Sequence, residues 1–205
     1  MNSTDIYPPS DDTFTLFDAV FQDLTGNERF VVELCIGSGY ILKSLINKWS
    51  PEKQCYFLGL DISSHACQYA LTECTSVTSK STHVDIVQSD LLNCFNLISK
   101  VDAVICNPPY VVTSHEELVN ASSDNISRSW AGGDNGREVI LRIIDAVIPI
   151  LTPESGRFYL LIVSENDPDF LINQIASRSD IRSCAIILSR KMMEHYFILR
   201  ICRKL

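Results

Sequence analysis

Short apolar runs alternate with longer helix-compatible segments along most of the chain. The apolar runs contain many β-branched and aromatic residues, which favours strands. We predict seven strands, at residues 29–35, 55–60, 83–88, 101–106, 156–163, 183–189 and 196–202. We predict helices between them, at residues 40–49, 64–75, 137–151 and 168–177. Such alternation is typical of βαβ units.

The early strands are nearly continuous apolar runs, as expected of parallel strands that are covered by helices on both faces. The last two strands are separated only by residues 190–195, which is too short for a crossover helix, so they form an antiparallel pair. We therefore predict an α/β fold with a doubly wound, mostly parallel sheet of seven strands and an antiparallel C-terminal hairpin strand. A length of 205 residues fits a single domain.

Composition and charge disfavour several classes of function. A formal net charge of -8 at pH 7 opposes attraction to nucleic acid, and the basic residues at 190–191 and 200–204 are interpreted as strand-end charges. No apolar run approaches the roughly 20 residues of a membrane span. The eight cysteines contain no Cys-x-x-Cys pair, and the four histidines show no ligand spacing, so no metal site is predicted. We expect a soluble protein of the cytoplasm or nucleus.

Carboxylates lie at the carboxyl ends of three consecutive predicted strands, at Glu33, Asp61 and Asp90. The carboxyl ends of parallel strands meet at one edge of a sheet, so we expect these side chains on the same rim. Carboxylates accept hydrogen bonds from ribose hydroxyls, an ammonium group and an exocyclic amine, and S-adenosylmethionine carries all three donors. Each carboxylate by itself is also compatible with a helix N-cap, most readily Asp90.

A glycine turn, Gly37-Ser-Gly39, ends the first strand. A dinucleotide fingerprint requires a third glycine at position 42, which is leucine here, so an NAD site is not predicted. This turn alone also fits a strand-to-helix connection without a ligand.

The strongest chemical signal is the tetrapeptide Asn107-Pro108-Pro109-Tyr110 after the fourth strand. Proline fixes φ and biases its predecessor to extended geometry, so the Asn107 amide and the Pro108 carbonyl are held rigidly. Two fixed acceptors bind both N–H groups of a planar amide or aromatic amine and orient its nitrogen for methyl transfer. Tyr110 is expected to stack on that planar group. The alternative is a Pro-Pro turn that merely ends a strand.

Three other segments are predicted to belong to the same face. Residues 7–14 precede the first helix, and Tyr7 and Thr13 are expected to close over the cofactor, unless the segment is only an N-cap with a proline turn. Residues 130–138 contain three glycines that permit close approach to a substrate, or form a hinge with a buried Trp130. Residues 111–136 are predicted to form a long substrate-side loop.

Residues 107–110, 130–138 and 7–14 resemble the eukaryotic and archaeal HemK-type glutamine methyltransferases that modify class 1 translation release factors. The resemblance covers nearly the whole chain and implies the class I, Rossmann-like methyltransferase fold. It implies that Asn107 and Pro108 hold the glutamine amide of a Gly-Gly-Gln motif. The cofactor-binding residues that the motifs and the resemblance predict are Tyr7, Thr13, Glu33, Cys35, Gly37, Asp61, Ile62, Asp90, Leu91 and Asn107.

The resemblance also concerns partners. The eukaryotic type pairs with a small zinc-binding activator that extends the sheet at its third-strand edge, here residues 83–88. Bacterial relatives carry an N-terminal helical domain, for which a first strand near residue 29 leaves no room. One departure is Cys35, where relatives usually have glycine, which puts cofactor affinity in question. Methylation of nucleic-acid amino groups, including N6 of adenine, or of protein lysine is the alternative.

Overall fold

The computed structural model describes residues 6–49, 54–78, 82–120 and 129–205. The sheet contains seven strands, which are β1 Phe30–Leu34, β2 Cys55–Asp61, β3 Thr82–Gln88, β4 Ala103–Cys106, β5 Arg157–Val163, β6 Ile181–Lys191 and β7 His195–Arg203. The helices are α1 Asp11–Asp23, α2 Tyr40–Lys48, α3 Ser64–Thr75, α4 His115–Asn120, α5 Glu138–Val147 and α6 Pro168–Ala176. All seven predicted strands and all four predicted helices are therefore confirmed to within a few residues.

The strand order is β3-β2-β1-β4-β5-β7-β6. The first five strands are parallel, and β7 lies antiparallel between β5 and β6, so the predicted antiparallel hairpin is confirmed. Every residue of β4 and all but the first of β5 are buried, although successive side chains point to opposite faces. Both faces of the central sheet are therefore covered.

Three boundaries differ from the sequence predictions. Helix α1 begins at Asp11, after the N-cap Ser10, so the second half of the segment 7–14 is helical and does not precede the helix. The predicted loop 111–136 contains α4, and its residues 121–128 lie outside the described part of the chain. The predicted helix 137–151 ends at Val147 because Pro149 follows in a short 3-10 turn.

None of the helices in the described ranges has the length and apolar character that crossing a membrane requires.

Candidate active site

A pocket opens at the rim where β1, β2 and β4 end, beside the start of α1. Register explains this convergence, since Leu34 is paired with both Leu60 and Cys106, and Asp61 with Gln88. The pocket is lined by every residue that the sequence predicted for the site: Tyr7, Thr13, Glu33, Cys35, Gly37, Asp61, Ile62, Asp90, Leu91, Asn107, Pro108, Pro109 and Tyr110.

Asp61 ties the end of β2 to the glycine turn. Its Oδ2 accepts a hydrogen bond from the Gly37 amide at 3.0 Å, and its Oδ1 accepts one from the Ser63 amide at 2.9 Å. Burial raises the pKa of the Asp61 carboxyl above its ordinary value. Ser63 in turn is the N-cap of α3, since its side chain accepts a hydrogen bond from the Ala66 amide.

Glu33 is buried beneath the same turn and accepts a hydrogen bond from the Leu42 amide, in the first turn of α2, at 2.9 Å. Glu33 therefore accepts a hydrogen bond from the first turn of α2, as a helix cap does, and it also lines the pocket. Burial, reinforced by the nearby charge of Asp61, raises the pKa of Glu33 to about 8. A cation or a strong hydrogen-bond donor that enters the pocket beside Glu33 stabilises its ionised form.

Asp90 occupies the outer edge of the pocket and pairs with Arg142 of α5 at 2.8 Å. Residues 91–94 form a turn, and Leu91 has a left-handed φ of 52°, so no helix begins after Asp90. The N-cap alternative for Asp90 is therefore wrong. Asp90 and Asp61 line the same pocket as expected, and the Asp90 side chain is 39% exposed.

Cys35 has a left-handed φ of 55°, a conformation that residues other than glycine adopt rarely. Gly37 and Gly39 follow with φ values of 51° and 72°. The loop therefore accommodates the cysteine at the usual glycine position by keeping the backbone conformation that a glycine would have there.

The Asn107 side chain is oriented by Asp12, a residue that the sequence analysis did not select. Asn107 Nδ2 donates to Asp12 Oδ2 at 2.9 Å. Because a carboxylate only accepts, the amide nitrogen must face Asp12 and Oδ1 must face away. Asn107 Oδ1 is buried and has no hydrogen-bond partner among the described residues. A buried acceptor of this kind costs free energy unless a bound molecule supplies a donor.

Asp12 gathers several more donors from the start of α1 and from two tyrosines. Its Oδ1 accepts from Ser10 Oγ at 2.6 Å, and its Oδ2 accepts from Tyr7 Oη at 3.0 Å and from Tyr110 Oη at 3.2 Å. Burial acts to raise the pKa of Asp12, but the hydrogen bonds from Ser10 and Asn107 outweigh it and hold that pKa below its ordinary value. Asp12 is therefore ionised at neutral pH, and it lies beside the Asn107 amide that it orients.

The phenol group of Tyr110 is held by two carboxylates, those of Asp12 and Glu194. Its Oη also lies 3.3 Å from Glu194 Oε2, in the turn between β6 and β7, and its ring is buried. Burial and the charge of Asp12 raise the pKa of Tyr110, so its phenol stays protonated and donates. This tether fixes the end of the tetrapeptide, and the predicted stacking of the Tyr110 ring on a substrate stays a prediction.

Asn166, just after β5, supports the tetrapeptide from behind. Its Nδ2 shares hydrogen bonds with the carbonyls of Tyr110, Asn135 and Gly136 at 2.9, 3.2 and 3.3 Å. Asn166 is wholly buried, and its Oδ1 accepts from the Val163 amide. Sequence reasoning missed it; its position at the end of a buried strand, like those of Glu33 and Asp61, is the signal that was available.

The glycines of the 130–138 segment pack against this tetrapeptide. A Cβ on Gly136 would lie 2.0 Å from the Tyr110 carbonyl oxygen, and one on Gly132 would lie 2.9 Å from that of Pro109. Close approach was predicted toward a substrate, but it is made to the protein's own backbone. Trp130 is 39% exposed and lines the pocket, so the interpretation as a hinge with a buried tryptophan is wrong.

The arginines near the C-terminus are held by internal contacts. Arg190 pairs with Asp18 at 2.9 Å, Arg200 with Asp23 at 2.6 Å, and Arg203 donates to the Pro149 carbonyl. Arg190 and Arg200 thus join the sheet to α1. Arg190 and Arg203 lie at or next to strand ends, as predicted, whereas Arg200 lies within β7.

Comparisons with solved structures show which fold this is. The ribosomal protein L11 methylase from Lactobacillus delbrueckii subsp. bulgaricus superposes with a TM-score of 0.65 at 16% identity, over 98% of this chain and 82% of that one. The hMettl16 catalytic domain, solved with a MAT2A 3'UTR hairpin, superposes with a TM-score of 0.64 at 17% identity, over 96% of this chain and 71% of that one. The fold is that of class I methyltransferases.

Comparisons with curated sequences show the family, although no protein-family model matches the chain. The chain is 34% identical to Methyltransferase HEMK2 of Homo sapiens, over 82% of this chain and 77% of that protein. It is 32% identical to the eRF1 methyltransferase catalytic subunit mtq2 of Schizosaccharomyces pombe, over 79% of this chain and 74% of that protein. With this similarity and a pocket lined by Asn107-Pro-Pro-Tyr110, the chain belongs to the HEMK2 family of methyltransferases.

Proposed function

We propose that this protein methylates the side-chain amide nitrogen (N5) of the glutamine in the Gly-Gly-Gln motif of a class 1 translation release factor, with S-adenosylmethionine as methyl donor. The observation that carries the proposal is the buried, unpartnered Oδ1 of Asn107, which Asp12 turns away from itself. A glutamine amide supplies the missing donor through one N–H. The resemblance to the eRF1 methyltransferase mtq2 supports the same class of substrate.

The half of the pocket that is lined by Glu33, Asp61 and Asp90, here called the donor half, suits S-adenosylmethionine by its chemistry. It lacks the third glycine of a dinucleotide site. A rim of carboxylates suits a ligand with an ammonium group, a sulfonium and ribose hydroxyls but no phosphate. When bound, this cofactor supplies an electrophilic methyl group.

The contribution of the chain is to position the acceptor. The nitrogen lone pair of a carboxamide is delocalised, so the amide is a weak nucleophile and needs precise orientation. Asn107 Oδ1 and the Pro108 carbonyl are proposed to accept its two N–H groups and to direct the nitrogen toward the donor half of the pocket. Asp12 and Asn166 hold that geometry through hydrogen bonds to Asn107 and Tyr110.

The test is methylation of a recombinant release factor with labelled S-adenosylmethionine, comparing wild type, Asn107→Ala and, as a matched surface control, Asn173→Ala on the exposed part of α6. We expect Asn107→Ala to lose methyl transfer at least 100-fold while calorimetry shows retained donor binding. Mass spectrometry is expected to place the methyl group on glutamine. Unchanged turnover of Asn107→Ala, or methyl transfer only to other residues, contradicts the proposal.

We further propose that the protein works as the catalytic subunit of a heterodimer with a small zinc-binding activator. Strand β3 lies at an edge of the sheet, and Val84, Ile86 and Val87 on it are only partly buried. An exposed strand edge is a template for sheet extension by a partner. Val84→Asp is expected to reduce co-purification with the activator, whereas Ile186→Asp on the opposite edge strand is not; equal retention by both variants contradicts this arrangement.

A further inference from the structure

Two cysteines lie between the donor half of the pocket and the acceptor half, which is the part around Asp12 and the tetrapeptide Asn107–Tyr110. Cys35 directly follows β1, and Cys106 ends β4 immediately before Asn107. Strands β1 and β4 are parallel neighbours in which Leu34 is paired with Cys106, so Cys35 lies one residue beyond that pair. The pairing of β1 with β4 therefore brings the two cysteines close together at the strand ends.

The two thiols differ in access to solvent. Cys35 is partly exposed and lines the pocket, whereas Cys106 is 0% exposed. Burial, together with the contact with Cys35, raises the pKa of the Cys106 thiol well above its ordinary value. A small reagent that enters the pocket therefore meets Cys35 first, and Cys106 can only react from inside, with Cys35.

We propose that Cys35 and Cys106 form a reversible intramolecular disulfide that weakens methyl-donor binding. This inference rests on the proposed binding of S-adenosylmethionine in the same pocket. The oxidant is a hydroperoxide small enough to enter the pocket, such as hydrogen peroxide, and a dithiol reverses the reaction.

The chemistry takes two steps. The Cys35 thiolate attacks one peroxide oxygen, the O–O bond breaks, and Cys35 becomes a sulfenic acid as hydroxide leaves and is protonated to water. The Cys106 sulfur then attacks the Cys35 sulfur, the S–O bond breaks, and the Cys106 proton leaves with a second water. Two thiols and one hydrogen peroxide thus yield one disulfide and two water molecules.

The position of the bond explains its effect. A covalent S–S bond is shorter than the closest non-bonded approach of two sulfur atoms, so it draws the loop after β1 toward the end of β4. That loop continues into Gly37, whose amide donates a hydrogen bond to Asp61. Cys106 directly precedes Asn107. One disulfide therefore displaces both the Gly37–Asp61 hydrogen bond in the donor half and the Asn107 amide in the acceptor half.

The chain offers a matched control in a second pair of cysteines. Cys184 lies on β6, Cys202 lies on β7, and Ser183 is the register partner of Cys202. Neither lines the pocket, so oxidation there leaves the donor site untouched.

The experiment treats the full-length protein with hydrogen peroxide, maps disulfides by mass spectrometry of a non-reduced digest, and measures S-adenosylmethionine binding by calorimetry before and after treatment. For wild type we expect a linked Cys35–Cys106 peptide and donor binding at least tenfold weaker, both reversed by dithiothreitol. In Cys35→Ser and Cys106→Ser the ratio of oxidised to reduced dissociation constants should fall to about one, whereas Cys184→Ser should keep the wild-type ratio.

The outcomes separate this inference from the proposed function. If the linked peptide does not form, or if it forms without a change in donor affinity, the disulfide switch is overturned. A loss of the effect in Cys184→Ser would also overturn it. If the reduced wild-type protein does not bind S-adenosylmethionine at all, the proposed function fails and the switch fails with it, whatever the disulfide map shows.

Discussion

The donor half and the acceptor half of the pocket are built in different ways. In the donor half, the hydrogen bonds of Glu33 and Asp61 join residues that are 2, 9 or 24 positions apart, whereas the exposed Asp90–Arg142 pair at the outer edge spans 52 positions. In the acceptor half, the hydrogen bonds that hold Asn107 and Tyr110 join residues that are 95, 98, 84 or 56 positions apart, as between Asn107 and Asp12. The first half is therefore set by local motifs, and the second depends on the assembled fold.

The two halves also differ in their electrostatics. Glu33 in the donor half has no cationic partner in the described part of the chain and its pKa is raised to about 8, so it is mostly protonated at neutral pH. Asp12 in the acceptor half has a lowered pKa because donors surround it. Among the described residues, the buried side-chain atoms of the acceptor half thus have partners apart from Asn107 Oδ1, whereas Glu33 in the donor half is mostly ionised at neutral pH only when a ligand stabilises its charge. The following predictions test this difference.

The largest expected effect is that of Glu33→Gln on stability at high pH. The folded state keeps a proton on Glu33 that the unfolded chain releases near its ordinary pKa of 4.5. Stability without ligand therefore falls as pH rises from that value to about 8, and the loss is complete above it. The glutamine variant lacks this loss and should be more stable above pH 8 by up to about 5 kcal/mol.

Urea unfolding at a series of pH values measures this effect. Glu73→Gln is the control, because the Glu73 carboxylate is paired with Lys43 at the surface. The prediction fails if Glu33→Gln and wild type show the same slope of stability against pH in this window.

The next effect is expected from Gly136→Ala in the acceptor half. The new Cβ would lie 2.0 Å from the Tyr110 carbonyl, so the tetrapeptide or its support must move. Gly37→Ala is the control, because it has a similar φ of 51° but its Cβ would lie 3.9 Å from its nearest neighbour, the Cys35 carbonyl oxygen. We expect the free energy of unfolding to fall by about 2 to 3 kcal/mol more in Gly136→Ala than in the control. Equal losses would show that only backbone strain matters.

Asp12→Ala should reduce the rate of methyl transfer about 100-fold, because the Asn107 amide is then free to rotate and misplace its oxygen. The rate should fall more than donor affinity, which separates positioning from general damage to the pocket. Asp12→Asn keeps one oxygen acceptor for Asn107 and should recover part of the rate.

The control is Asp18→Ala on the same helix, where the side chain pairs with Arg190 outside the pocket. Single-turnover kinetics at saturating donor provide the measurement. If Asp12→Ala turns over at the rate of Asp18→Ala, Asp12 does not position the methyl acceptor.

The smallest effect is expected from Arg142→Ala at the outer edge of the donor half. The Arg142 and Asp90 side chains are 49% and 39% exposed, so solvent screens their pairing. The free energy of unfolding should change by less than about 1 kcal/mol, as in Lys43→Ala, which breaks a comparable surface pair. A loss of several kcal/mol, measured by chemical unfolding, would mean that the edge of the donor half is as tightly coupled as the acceptor half.

The same contrast explains what the sequence could predict. Strand positions, the antiparallel hairpin and the carboxylates at the ends of β1 and β2 follow from apolar runs and strand ends, which are local features. Asp12 could not be separated from Asp11 until the start of α1 was known, since only the helix decides which carboxylate turns inward. Asn166 and Glu194 reach the tetrapeptide from 56 and 84 residues away, so no spacing in the sequence connects them to it.

The amide of Asn166 has a consequence for how the protein comes apart. It joins the carbonyls of Tyr110, Asn135 and Gly136 to the end of β5, in the centre of the sheet. The acceptor tetrapeptide therefore cannot loosen by a local fluctuation that leaves the central strands intact. The backbone N–H groups of Asn107 and Tyr110 should exchange with deuterium only through openings that also expose β5, so catalytic competence and global folding are lost in one cooperative step.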